Sequence, residues 1–210
     1  MVDAITKVDK VREIVRCGRD PVYFIKNYVF IQHPVRGRIK FDTYPFQDDV
    51  VNALQNHRLN IVLKSRQLGL STIGAAYALW DAMFHRDRNI LVIATKLETA
   101  QNFVKKVKTA LDNLPPFLQS LAKHDNQRTV VNFLANGSRI IAVPRSEDAG
   151  RSEAISLLII DECVTGDTMI DVQDPSGNEF RISISNFYDL LKAEQERNTL
   201  YIHLEDDDDT

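Results

Sequence analysis

Two cysteines in 210 residues, Cys17 and Cys163, are too few and too far apart for a disulfide framework, and neither has metal-ligand spacing. No apolar run approaches the roughly 18 residues of a membrane span. The charged start, Met1 to Arg16, lacks the apolar core of a signal peptide. These shortages argue against a stapled secreted scaffold, a zinc module and a membrane helix, and they make the cytoplasm the expected location. What is present is ordinary for a globular chain: 44% apolar and 26% charged residues. The length suits one well-cored domain plus a small appendage.

The net charge of −3 hides a split. Residues 1–162 carry 23 Lys+Arg against 17 Asp+Glu, a balance of +6, whereas residues 163–210 carry 3 against 12, a balance of −9. Such asymmetry suggests two units with different partners, nucleic acid for the basic part and a basic protein for the acidic part.

Residues 1–45 read as an apron of short helices. Asp20-Pro21 starts one, with proline in its first turn, and Val22, Ile25 and Val29 recur at helical spacing. Residues 46–57 read as a helix. Leu59 to Leu63 is a β-rich run, then a polar turn, then an alanine-rich helix from Thr72 to His85. Strand, turn and helix repeat at Asn89 to Thr95 and Leu97 to Leu114, where Pro115-Pro116 stops the helix. Residues 130–134 and 138–143 flank Asn136-Gly137 as a hairpin. A polar loop, 144–155, leads to an apolar strand, Leu157 to Glu162, that ends in two acids. Apolar strands alternating with helices predict an α/β fold, a parallel sheet covered on both faces.

After Cys163 the style changes. Thr168 to Gln173 and Glu179 to Ile184 alternate like strands around the turn Asp174-Pro175-Ser176-Gly177; residues 186–198 look helical, and Leu200 to Leu204 suits one more strand. These 48 residues are too few to form a stable domain alone.

Two stretches carry chemistry. A phosphate loop lies between a strand and a helix, whose first N–H groups and dipole face the anion. The usual pattern is G-x-x-x-x-G-K-[ST]. Here Lys64-Ser65-Arg66-Gln67-Leu68-Gly69-Leu70-Ser71 keeps Gly69 and Ser71, but Lys64 replaces the first glycine and Leu70 the lysine. Phosphate binding needs a cation near the terminal oxygens without dictating its place in the chain, and Lys64 and Arg66 supply two. The second stretch is Asp161-Glu162 at the end of its strand. Asp161 suits a Mg²⁺ shell, and Glu162 suits polarising an attacking water.

The segment SRQLGLST resembles the altered phosphate loop of phage terminase large subunits. Tyr44-Pro45-Phe46-Gln47, ILVIATKLETAQNF, NGSRIIAVP and Ala149-Gly150-Arg151-Ser152 resemble further parts of that family over roughly residues 40–162. The resemblance implies a P-loop NTPase-like domain over residues 46–162 that uses ATP and Mg²⁺. Gln47 would read adenine. Lys64 or Arg66 would do the phosphate work, with Arg66 also a candidate γ-phosphate sensor. Ser71, with Thr72 the alternative, would hold Mg²⁺. Arg151 would stand near the nucleotide, in cis or from a neighbouring ring subunit. Double-stranded DNA, a small terminase subunit, a portal and a homo-oligomeric ring are the implied partners, in the cytoplasm of an infected bacterium, with no membrane.

Cys163-Val-Thr-Gly-Asp-Thr-Met-Ile resembles the first block of an intein, and the terminase pattern breaks immediately before it. The implied unit, 163–210, is the mostly-β N-terminal fragment of an intein of the Hint type. Its partner is a complementary C-terminal intein fragment carrying the rest of the motor, joined by trans-splicing. Cysteine is the best first-residue nucleophile for that chemistry near neutral pH. No Thr-x-x-His motif and no closing asparagine with a following nucleophile is found, so the chain alone is not expected to splice. The alternative is a free-standing or remnant P-loop ATPase or nucleic-acid-binding module with an unrelated tail. Cys17, His33, His57, His85 and His124 have no constellation around them and receive no role.

Overall fold

The computed structural model describes residues 7–33, 35–63, 67–146, 154–161, 169–173, 179–183, 185–187, 189–190 and 202–203. The chain begins with α1 (Lys7–Arg19) and α2 (Pro21–Tyr28). Asp20 caps α2, its carboxylate accepting from Tyr23 N at 2.8 Å, with Pro21 at the first helical position. The apron is not all helical. Phe30–His33 (β1) and Gly37–Lys40 (β2) form an antiparallel hairpin, with Gly37 left-handed at φ +68°. Trp80 Nε1 donates to the Cys17 carbonyl at 2.8 Å, tying this layer to the central helix.

Next come α3 (Pro45–Asn56), a two-residue strand β3 (Val62–Leu63), α4 (Leu70–Phe84), β4 (Asn89–Ala94), α5 (Leu97–Asp112) and α6 (Pro116–Gln119). The strands β5 (His124–Asn126), β6 (Val130–Phe133), β7 (Arg139–Pro144) and β8 (Leu157–Asp161) follow. The main sheet runs β5-β6-β7-β4-β8. It is mixed, which corrects the expectation of a parallel sheet: β4 pairs parallel with β7 and β8, but β5, β6 and β7 pair antiparallel. The cause is β7, which is one arm of the Asn136-Gly137 hairpin and also the parallel neighbour of β4.

A second correction concerns β3. It pairs parallel with β11 (Ile202–His203) and lies outside the five-stranded sheet. A third concerns β8, expected to be a buried strand. Leu158 and Ile160 on one face are 47% and 53% exposed, while Leu157 and Ile159 on the other pack against the core.

Helix α4 is the central element. Nearly every residue from Ile73 to Met83 is buried, as an alanine-rich helix apolar on all sides requires. Its C-terminal carbonyls are closed by the hairpin turn. Asn136 Nδ2 donates to Ala82 O at 2.7 Å and to His85 O at 2.8 Å. Asp81, 3% exposed, is held by Arg88 Nε at 2.9 Å and His85 Nδ1 at 3.0 Å. Residues 169–173 (β9) and 179–183 (β10) form a separate antiparallel pair. Among the described residues no helix is long and apolar enough to cross a membrane.

Candidate functional site

The site forms where the carboxyl ends of the parallel strands meet the start of α4. Register aligns Ala94 with both Pro144 and Asp161, so β4, β7 and β8 end at one sheet edge. Ligands in open α/β sheets gather at this edge. The backbone that leaves β7 begins there too, with Arg145 N donating to Ala94 O at 2.8 Å.

The turn before α4 is left-handed at two places, Gln67 at φ +69° and Gly69 at φ +72°. Glycine takes this conformation without cost; glutamine does not. Gly69 is the N-cap of α4, and its carbonyl accepts from Thr72 N and Ile73 N at 2.9 and 3.0 Å. The N–H groups of Leu70 and Ser71 therefore lie ahead of the first intrahelical bond. They stand at the positive end of the helix, the arrangement that receives anions.

Ser71 Oγ donates to Asp161 Oδ1 at 2.8 Å, joining groups ninety positions apart in the chain. Asp161 is buried, at 9% exposure. One turn further along α4 stands Gly74, packed against β8 and α5. A Cβ there would touch Phe103 of α5 at 3.6 Å and Ile159 of β8 at 3.9 Å. Gly74 and Ile159 thus bring helix and strand together just behind the Ser71–Asp161 pair. Thr72 turns elsewhere and borders a cavity of about 360 Å³ with Ile31, Asn102 and Lys105 among its walls. Of the two candidate hydroxyls, Ser71 is the one bonded to Asp161.

Gln47 meets this turn from the other side. It is the third residue of α3 and 3% exposed. Its Oε1 accepts from Tyr44 N at 3.1 Å, the backward half of a capping box. Its Nε2 donates to Leu68 O at 2.8 Å. Tyr44, 64% exposed, stacks on Phe46 with ring centroids 5.6 Å apart.

The structure therefore brings Gln47, Gln67, Leu68, Gly69, Leu70, Ser71 and Asp161 together, with Thr72 adjoining. Lys64, Ser65, Arg66, Arg151, Glu162 and Cys163 lie outside the described residues. Sequence reasoning did not single out Gly74, Ile159 or Phe103. A lone glycine in an alanine-rich helix was the available signal for the first. A hydroxyl and a carboxylate 2.8 Å apart, beside free-facing helix N–H groups, fit Mg²⁺ with a polyphosphate. Mg²⁺ takes oxygen ligands and is usually bound through one or two carboxylates, substrate phosphates and water.

Comparison with known proteins bears on the fold and the family. The fold is similar to the large terminase of bacteriophage HK97, with a TM-score of 0.59 at 14% identity, over 92% of this chain and 45% of that one. The chain thus spans under half the length of that terminase. The family model described as terminase large subunit, T4likevirus-type, N-terminal, matches residues 61–171, from the strand before the turn to nine residues beyond Glu162. The chain belongs to the terminase large subunit family.

Proposed function

We propose that residues 46–162 are the nucleotide-binding front of a DNA-packaging ATPase, and that the opening segment of an intein follows from Cys163. The observation that carries the ATPase reading is the Ser71–Asp161 bond. It joins the start of the helix after the glycine turn to the end of the acid strand, as a Mg²⁺–ATP site requires. ATP with Mg²⁺ supplies a γ-phosphoryl group whose charge is partly neutralised by the ion. The chain's own residues supply the rest. The N–H groups at the start of α4 receive phosphate oxygens, and Lys64 and Arg66 add positive charge. Ser71 and Asp161 hold the ion, Glu162 orients the attacking water, and Arg151 stabilises charge at the terminal phosphate. Double-stranded DNA, a small terminase subunit, a portal and a ring of copies are the partners of the completed motor, in the cytoplasm of an infected bacterium. Measuring Mg-ATP binding by the full chain and by Lys64→Ala and Arg66→Ala tests this. Loss in either variant supports it; equal binding in all three removes both cations from the site.

The intein reading rests on the Cys163…Gly166-Asp167 pattern, the change of charge at that point, and the β9–β10 pair, which forms its own two-stranded sheet. In the first step Cys163 Sγ attacks the Glu162 carbonyl carbon. The C–N bond breaks, a thioester forms, and the released nitrogen takes a proton as the amino group of Cys163. A complementary intein fragment carrying the rest of the motor is the partner.

Two observations favour the other reading, an ATPase module with its own tail. The β3–β11 pair links residues 202–203 to the strand before the turn, and the family match overlaps residues 163–171. Incubating the chain with thiol and looking for cleavage between Glu162 and Cys163 separates the two. Cleavage that vanishes in Cys163→Ala supports the intein; a chain that stays intact both alone and with the complementary intein fragment added supports the tail.

A further inference from the structure

We propose that the outward face of the β1–β2 hairpin, continued by Lys105 of α5, is a contact surface for the phosphate backbone of double-stranded DNA. The choice of DNA rests on the packaging reading, which this surface deepens.

The hairpin is two-faced. Side chains alternate along each strand, and directly paired residues share a face. Ile31 pairs with Ile39, and Ile31 packs on the core. On the other face Gln32 pairs with Arg38 and Phe30 with Lys40, and there Gln32, Arg38 and Lys40 are exposed. Residues 21–41 hold Lys26, Arg36, Arg38 and Lys40 but no Asp or Glu. Gln32 also lines the cavity of about 360 Å³ together with Lys105, so this exposed lysine flanks the hairpin's outward side. Among the described residues no carboxylate forms an ion pair with Arg36, Lys40 or Lys105. Acids border the surface at Asp42, after β2, and at Asp112, the last residue of α5.

The cations are also held in place. Arg38 Nη1 donates to Asn113 Oδ1 at 2.5 Å, tying β2 to the end of α5. At the tip His33 Nδ1 accepts from Val35 N and Arg36 N, each at 3.1 Å, which folds the turn back on its own strand. Val35 beside it is 88% exposed, so the tip projects into solvent. Arg38 and Lys40 stand about 7 Å apart along an extended strand, an interval close to that of neighbouring phosphates on one DNA strand. A row of charges fixed in this way gives up little freedom on binding. An even line of cations without a carboxylate in it suits a uniform ladder of phosphates better than the mixed surface of an acidic protein.

The test is fluorescence anisotropy of the full chain on a labelled duplex, without nucleotide, between about 50 and 200 mM salt. The slope of log affinity against log salt is about −0.9 per phosphate engaged. Arg36→Gln, Lys40→Gln and Lys105→Gln are each expected to shrink that slope by about 0.9, and the triple variant by about 2.7. The loss should be equal on duplexes of unrelated sequence. Arg86→Gln, which removes an exposed cation past the far end of α4, should leave the slope unchanged. A triple variant with unaltered melting temperature and unaltered slope overturns the proposal, as does an unmodified chain that binds no duplex. Tighter binding of poly-glutamate than of duplex, lost in the triple variant, also overturns it and gives the face to an acidic protein. A chain that binds duplex as expected but no Mg-ATP refutes the nucleotide site and leaves this surface standing.

Discussion

Gly74 of α4 lies against Ile159 of β8, so that a Cβ on the glycine would meet the isoleucine Cγ2 at 3.9 Å. Helix and strand pack side by side here, one turn from the Ser71–Asp161 bond. Alanine fits there, because both contacts its Cβ would make are ordinary van der Waals distances, and it favours helix by about 1 kcal/mol over glycine. Leucine does not fit, and overpacking of this kind costs about 1–3 kcal/mol. Gly74→Ala is expected to raise the melting temperature by a few degrees and to keep Mg-ATP binding. Gly74→Leu is expected to lower both, as thermal denaturation and calorimetry would show.

At the far end of α4, Asn136 closes the helix from the hairpin turn. Asn136→Ala leaves the carbonyls of Ala82 and His85 without this donor, at a cost of about 1–3 kcal/mol. A chain of this size then melts several degrees lower. Asn136→Asp keeps the acceptor for Ser138 N but removes the donors, so it should be no better than alanine. A melting temperature unchanged in both would show that the turn does not hold the helix.

Glu13 accepts hydrogen bonds from Tyr23 and Tyr28, both at 2.6 Å. These two bonds, Tyr23 first, hold its carboxyl below the usual value of 4.5. A carboxyl lowered on folding contributes stability above its unfolded value and loses it as pH falls through the folded one. The urea midpoint of the unmodified chain should therefore decline more steeply below pH 4.5 than that of Glu13→Gln. Parallel acid limbs would mean that these bonds do not order the apron.

Cys17 is fully buried, and burial pushes its thiol up to about 12. It should resist alkylation at pH 8 until the chain unfolds, since the thiolate is the reactive form. Peptide mapping after alkylation with and without urea checks this. Modification of Cys17 in the folded chain would show that α1 opens away from Trp80.

What the sequence disclosed was mostly local. Asp20-Pro21 and Asn136-Gly137 declare a helix start and a hairpin through their own conformational preferences, and both are found. Gly69 and Ser71 stood out because they keep two positions of the G-x-x-x-x-G-K-[ST] pattern. Asp161 was legible because an acid closes an apolar run. The β1–β2 hairpin was not legible, since its four-residue strands follow a stretch with helical spacing and Ile31 packs on the core from outside that pattern. Nor was the Asn136-Gly137 hairpin's membership of the main sheet, because β7 reads as a hairpin arm while its second edge is claimed by β4, fifty positions away. The engagement of Gln47 with Leu68 is likewise tertiary: nothing in Tyr44-Pro45-Phe46-Gln47 says which carbonyl the amide will meet.

The central claim is that Ser71 and Asp161 together form one Mg²⁺–nucleotide site. A double-mutant cycle on Mg-dependent ATP binding, using Ser71→Ala, Asp161→Asn and the pair, tests it most directly. The account predicts that each single change weakens binding by about tenfold or more, and that the double variant is little worse than the poorer single one. Binding that is indifferent to both changes, or losses that multiply as if the residues were strangers, would contradict it.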